Sequence, residues 1–173
     1  MEANHPNVSS EEKEGQNNNK INDATSLYLE NINILLGSQE VLDKITTDPQ
    51  QFKIVDIRSY EEHTGVISGY EEITAKGRPK GAIWGRDIDY YRIYNNNCKL
   101  SAKEYKSKIE QILPNLDDST TICFFCGTGW RAAEVYLYYS EIGFTNVCLF
   151  NGWFEWSALL LPVEPLNSDN NKN

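Results

Sequence analysis

What the chain lacks narrows its role before any motif is read. Nowhere in its 173 residues do about 20 apolar residues run together, the length a membrane-crossing helix needs. The opening stretch, MEANHPNVSSEEKEGQNNNK, has neither the basic nor the apolar part of a secretory signal, so the expected location is the cytoplasm. Basic residues are in deficit: 16 Lys and Arg stand against 25 Asp and Glu, a formal net charge of -9. Nucleic acid or an anionic membrane as partner requires a basic patch, and the sequence offers none. Histidine is scarce, with only His5 and His63.

Four cysteines, Cys98, Cys123, Cys126 and Cys148, are too few and too scattered for a disulfide-stapled scaffold, and reduced thiols are expected. Cys123 and Cys126 form a C-x-x-C, a spacing also met in redox pairs and in half of a zinc site. On a strand, residues three apart lie about 10 Å from one another, beyond the ~4.4–6.8 Å between alpha carbons that a disulfide tolerates. A zinc site needs a second ligand pair, and two separate histidines with isolated thiols do not supply it. No metal and no cofactor is expected.

What is present organises one domain. Hydrophobic residues make up 40% of the chain and aromatics 12%, enough to close one core of ordinary size. Residues 1–26 are polar and rich in Asn, Glu and Ser, which predicts a disordered arm; 165–173 read likewise, leaving 27–164 as the folded domain. Within it, INILL (32–36) predicts a short strand. SQEVLDKITTDP predicts a helix with Ser38 as N-cap and Asp48-Pro49 as its stop. The β-branched FKIVDIR predicts a buried strand over Phe52–Ile57, and AIW a further short one. SAKEYKSKIEQIL is amphipathic, capped by Ser101 and stopped by Pro114. TTICFF is the most strand-like segment. RAAEVYLYYSEIG places Val135, Tyr139 and Ile142 on one helical face and ends at Gly143; NVCLF predicts the next strand and GWFEWSALL the last helix. Strands alternating with helices imply an α/β fold, a mostly parallel sheet covered on both faces.

In such sheets ligands bind beyond the carboxyl ends of the strands, where strand-to-helix turns present backbone amides. FFCGTGWRAAE puts Cys126 at one of those ends, just before a helix whose unpaired N–H groups and dipole favour a negative charge on the sulfur. Helix N-termini and neighbouring cations favour the thiolate, the nucleophilic form of cysteine. Gly127 and Gly129 permit a tight turn in which several N–H groups converge, and Arg131 can fold over the same spot. Against the reading of Cys126 as a plain buried thiol stands this combination of strand, Cys-Gly-Thr-Gly-Trp-Arg and helix, which converges on an anion-binding nucleophile.

CGTGWRAAE resembles the active-site loop of the rhodaneses, single-cysteine sulfurtransferases that carry sulfur as a persulfide. Over roughly residues 30–162 other pieces match in order. VDIRSYEEH resembles the family's Asp-x-Arg strand end through Asp56 and Arg58, GAIWG its Gly-Ala strand entry, and LFNGWFEW its Gly-Gly-(Trp/Phe) segment, with Asn151 in place of the first Gly. The insert SGYEEITAKGR and the loop are most similar to the catalytic module of multi-module bacterial rhodaneses that use thiosulfate. RPKGA departs from the His-(Ile/Leu)-Pro-Gly-Ala of many relatives, leaving Arg78 and Lys80 either near the pocket mouth or solvated.

The resemblance implies a rhodanese-like three-layer fold around a five-stranded sheet. It implies Cys126 as the persulfide-bearing nucleophile, Arg131 as the anion binder, and the amides of Gly127, Thr128, Gly129 and Trp130 as the cradle. Asp56 and Arg58 either brace the loop or form an ordinary ion pair. The implied donor is thiosulfate and the acceptor a thiol or cyanide, with a sulfur-relay protein as a further partner; 3-mercaptopyruvate is the alternative donor. Trp130, Trp153 and Trp156 either wall the pocket or belong to the core. His63 has no evident acid partner in the sequence and reads as a surface or hydrogen-bonded side chain. Two rivals remain. Phosphatases and arsenate reductases of this fold need Cys-x5-Arg, whereas four residues separate Cys126 from Arg131 here, and non-catalytic rhodanese-like binding modules have commonly lost the cysteine.

Overall fold

Alternating strands and helices close around a five-stranded sheet. A computed structural model describes residues 34–85, 102–114 and 116–164. The strands are β1 (Leu35–Leu36), β2 (Phe52–Asp56), β3 (Ile83–Trp84), β4 (Thr121–Phe125) and β5 (Val147–Phe150). They lie in the order β1-β5-β4-β2-β3, and every pairing is parallel. The helices are α1 (Ser38–Thr47), α2 (Tyr60–Thr64), α3 (Ala102–Ile112), α4 (Trp130–Glu141) and α5 (Trp153–Ala158).

The period of two along each strand sorts the core into two layers. Val55, Ile57, Ile122, Phe124, Val147 and Leu149 pack with Ile109 and Leu113 near the end of α3 and with Ala132, Val135 and Tyr139 of α4. Phe52, Ile54, Cys123, Phe125, Cys148 and Phe150 face the other way, onto Val41 of α1 and Trp153 and Trp156 of α5. The expected parallel sheet with helices on both faces is therefore the architecture found. Because the sheet is parallel, β2 and β4 end side by side, Asp56 in register with Phe125. Residue 126 thus emerges at the carboxyl edge near the middle of the sheet, between two strands rather than at its rim.

Local expectations hold with three adjustments. Of the strand expected over 32–36, only Leu35–Leu36 form β1, and Ile34 lies outside it. β2 stops at Asp56, one residue short of the predicted end. Ser38 is not the cap of α1: Gly37 occupies that position, and the Ser38 hydroxyl donates to Glu155 Oε2 at 2.8 Å, tying α1 to α5. A hydroxyl facing a carboxylate across the layer finds a stronger acceptor than its own helix offers donors. The predicted arm over 1–26, the tail over 165–173, the Ser101 cap and Cys98 lie outside the described residues. No helix among the described residues is long and apolar enough to cross a membrane.

Candidate active site

Cys126 follows directly on β4, and its residue is wholly enclosed. Two loop carbonyls are fixed by the start of α5: Trp153 N–H donates to Cys126 O and Phe154 N–H to Gly127 O, both at 2.9 Å. α4 begins at Trp130, with Gly129 as its N-cap in the left-handed region (φ 88). That conformation turns the Gly129 amide back onto the cysteine, where it donates to Sγ at 3.2 Å. The sulfur therefore sits at the start of a 12-residue helix with an amide directed at it, an arrangement that favours an anion there. Of the other loop residues, Gly127 is buried, whereas Thr128 and Trp130 are exposed, Trp130 at 85%.

Cys123 faces away from Cys126. Its side chain belongs to the α1/α5 layer, whereas Cys126 belongs to the α3/α4 layer, so the two thiols of the C-x-x-C point to opposite faces of the sheet. Cys123 lies in register with Cys148 of β5. Burial, reinforced by the neighbouring Cys148, pushes the Cys123 thiol well above its ordinary pKa and keeps it protonated. Among the described residues no three His, Cys, Asp or Glu side chains gather as a metal ion would require.

Arg131 is paired through both of its terminal nitrogens. Its guanidinium donates to both oxygens of Glu62, at 3.0 and 3.2 Å, and to the Tyr70 hydroxyl at 3.2 Å. Burial works against the Arg131 charge, but the paired Glu62 carboxylate and Tyr70 outweigh it and hold the group above its already high ordinary value. Glu62 also completes the cap of α2. Ser59 N–H donates to Glu62 Oε2 at 2.9 Å while Glu62 N–H donates to the Ser59 hydroxyl at 3.2 Å, a reciprocal capping box. The Ser59-x-x-Glu62 spacing carries that signal in the sequence. The meeting of Glu62 with Arg131, 69 positions apart, is visible only in the fold.

Beneath the loop lies a second buried charge cluster. Asp56 receives Arg58 Nε at 2.9 Å and Nη2 at 2.7 Å, a bidentate pair fully shielded from solvent. The guanidinium lies 5.6 Å from the Phe125 ring centre and 5.3 Å from that of Trp153, the residues before Cys126 and at the start of α5. Arg58 Nη2 also donates to Gly77 O, while Nη1 is buried without a hydrogen-bond partner among the described residues. His63 is a buried, hydrogen-bonded side chain rather than a surface one, and the acid partner not evident in the sequence is Asp56, whose Oδ2 lies 3.0 Å from Nδ1. The one-turn helix α2 folds His63 back over the strand end, a contact that sequence spacing alone did not reveal. Burial would raise the Asp56 pKa, but the His63 hydrogen bond and the Arg58 charge lower it by more, leaving the carboxyl below its ordinary range.

The remaining expectations separate. Trp153 and Trp156 are core side chains at 1% and 0% exposure, whereas Trp130 alone of the three stands at the loop surface. Arg78 is tied to α2, its Nη1 donating to His63 O at 3.2 Å. Lys80 lines a cavity of about 480 Å³ with Leu42, Phe52 and Lys53, beside the start of β2 and thus toward the edge opposite Cys126.

With this geometry in place, similarity to known proteins adds the following. The family profile described as Rhodanese-like domain matches residues 38–159. Thiosulfate sulfurtransferase YnjE of Escherichia coli (strain K12) is 35% identical over 115 residues, covering 63% of this chain and 26% of the relative. Thiosulfate/3-mercaptopyruvate sulfurtransferase 2 of Arabidopsis thaliana is 29% identical over 134 residues, covering 75% of this chain and 37% of the relative. The chain thus spans about a quarter to about a third of the lengths of these relatives. Among solved structures, the anaerobic ergothioneine biosynthesis enzyme from Chlorobium limicola, in complex with trimethyl histidine, superposes with a TM-score of 0.65 at 25% identity, over 77% of this chain and 32% of that one. A variant of EanB in complex with hercynine superposes with the same TM-score at 28% identity, over 76% and 31%.

Proposed function

The chain belongs to the rhodanese family, and on that premise we propose that it moves sulfane sulfur from thiosulfate to a thiophilic acceptor through a persulfide on Cys126. One observation carries the reading: the Cys126 sulfur sits at the N-terminus of α4 with the Gly129 amide 3.2 Å away. The thiolate attacks the outer sulfur of thiosulfate, the S–S bond breaks, and sulfite departs with the bonding pair. The negative charge passes to the outer sulfur of the new persulfide. An acceptor such as cyanide or a thiolate then attacks that outer sulfur, and the Cys126 thiolate is restored as leaving group.

Each step keeps an anion at the same place, and a site with preset amides stabilises it without reorganisation. The names of both curated relatives support thiosulfate as donor, and that of the Arabidopsis thaliana protein keeps 3-mercaptopyruvate as the alternative. Asp56 and Arg58 serve as supports, Arg58 stacking under the two residues that position the Cys126 backbone.

The test is the intact mass of the protein after incubation with thiosulfate. Wild type gains one sulfur atom, cyanide removes it, and Cys126→Ser gains none. Sulfur retained on the serine variant would refute the assignment.

A further inference from the structure

The guanidinium that would greet an anionic donor is already paired. Arg131 follows Gly129 by two residues in the first turn of α4. The Tyr70 ring lies against Gly127, where a Cβ would come within 2.0 Å of Cε2, while its hydroxyl accepts from Arg131 Nη2. One tyrosine therefore links the loop backbone to the guanidinium, placing that group at the loop. Opposite it, both oxygens of Glu62 are engaged, and the two side chains are only 22% and 6% exposed. A pair so shielded acts outward as a dipole rather than as a cation.

We infer that Glu62 is the specificity-determining residue of this site: by occupying Arg131 it cancels the charge at the loop and weakens the preference of Cys126 for dianionic sulfur donors. The inference rests on Cys126 being the sulfur-carrying thiol and concerns which donors that thiol takes. Binding thiosulfate through Arg131 requires the donor to displace Glu62 or to share the guanidinium with it. Donors of lower charge, such as an organic persulfide or a polysulfide chain, lose less by this arrangement. The capping box makes the arrangement durable, because the Ser59 N–H also donates to the carboxylate that pairs with Arg131.

Glu62→Gln provides a clean test. Glutamine completes a capping box as glutamate does, so α2 keeps its start while the negative charge disappears. Cys126 is alkylated with iodoacetate, an anion, and with iodoacetamide, its neutral counterpart of nearly the same shape; in each case the thiolate displaces iodide. The ratio of the two rates cancels thiolate content and access and reports the charge met at the sulfur. Glu62→Gln should raise the iodoacetate-to-iodoacetamide ratio about three- to ten-fold, the effect of one charge at several ångströms in a partly solvated site. The double variant Glu62→Gln/Arg131→Met should return it to within about two-fold of wild type, because a neutral pair is replaced by two neutral groups. In the thiosulfate–cyanide assay, kcat/KM should rise in Glu62→Gln by at least the same factor.

An unchanged ratio in Glu62→Gln would show that its charge is not felt at the sulfur, and a double variant far below wild type would show that Arg131 acts as a free cation beside Glu62; either overturns the inference. If the ratio shifts as expected but no variant takes up sulfur from thiosulfate, the cancellation of the Arg131 charge by Glu62 stands, while the sulfur-transfer reading falls and with it the role of Glu62 in donor choice.

Discussion

The backbone oxygen of Cys126 lies so close to Gly152 that a Cβ there would sit 2.1 Å from it. Gly152 also adopts φ 92, ψ -155, a region almost reserved for glycine. Gly152→Ala must therefore push the α5 start away from the loop and break the Trp153 N–H bond to Cys126 O. A loss of about 2–4 kcal/mol is expected from strain and steric overlap combined. Urea unfolding measures it, and an alanine variant as stable as wild type would show that the two segments are free to part.

Asp56 makes stability depend on pH. Its folded pKa is depressed, so the contribution is fully present above the unfolded value of about 3.9 and is lost as pH falls through the lower folded value. Asp56→Asn strands the Arg58 charge in the core, at a cost of about 3–5 kcal/mol. Unfolding free energies at pH 7 and pH 3 test this: the deficit of the variant should be large at pH 7 and shrink toward pH 3. A deficit equal at both values would mean that the carboxylate charge contributes nothing.

Cys123→Ser should separate packing from chemistry. A hydroxyl introduced into the α1/α5 layer without an assured partner lowers stability by about 1–3 kcal/mol. Sulfur uptake from thiosulfate per folded molecule should stay at the wild-type level, because the side chain faces away from Cys126. Loss of uptake as complete as in Cys126→Ser, with the fold intact, would restore a paired role for the two thiols.

The tryptophans should divide the same way. Trp156→Ala empties a fully buried position and removes the bond from its Nε1 to Pro162 O, so a cost of about 3–5 kcal/mol is expected. Trp130→Ala removes an 85% exposed ring and should leave stability within about 0.5 kcal/mol. Thermal unfolding distinguishes them, and a Trp130 variant as unstable as that of Trp156 would refute the surface placement.

Order along the chain was legible where one physical signal dominated. The β-branched run over Phe52–Asp56 and the apolar TICFF could only be buried strands, and the break at Cys126-Gly127 could only be a strand-to-helix turn. Cys126 and the Gly129 amide follow from that turn alone, since only two residues separate them. Ser38 misled because cap preference is a local rule, and its hydroxyl answers to Glu155, 117 positions away. The same reason hid Asp56–His63 and Glu62–Arg131. Each depends on where α2 folds after the strand ends, which neither charge nor periodicity encodes.

Glu62 joins two structures that would otherwise respond separately. α2 is only five residues long, too short to persist without its cap. The carboxylate that completes the cap is also the counterion of Arg131, so an excursion in which the first turn of α2 frays also unlatches the guanidinium on α4. Amide hydrogen exchange in α2 would then rise and fall with whatever occupies Arg131. A small molecule captured at the loop would be felt as a loosening one helix away, with no displacement of the sheet.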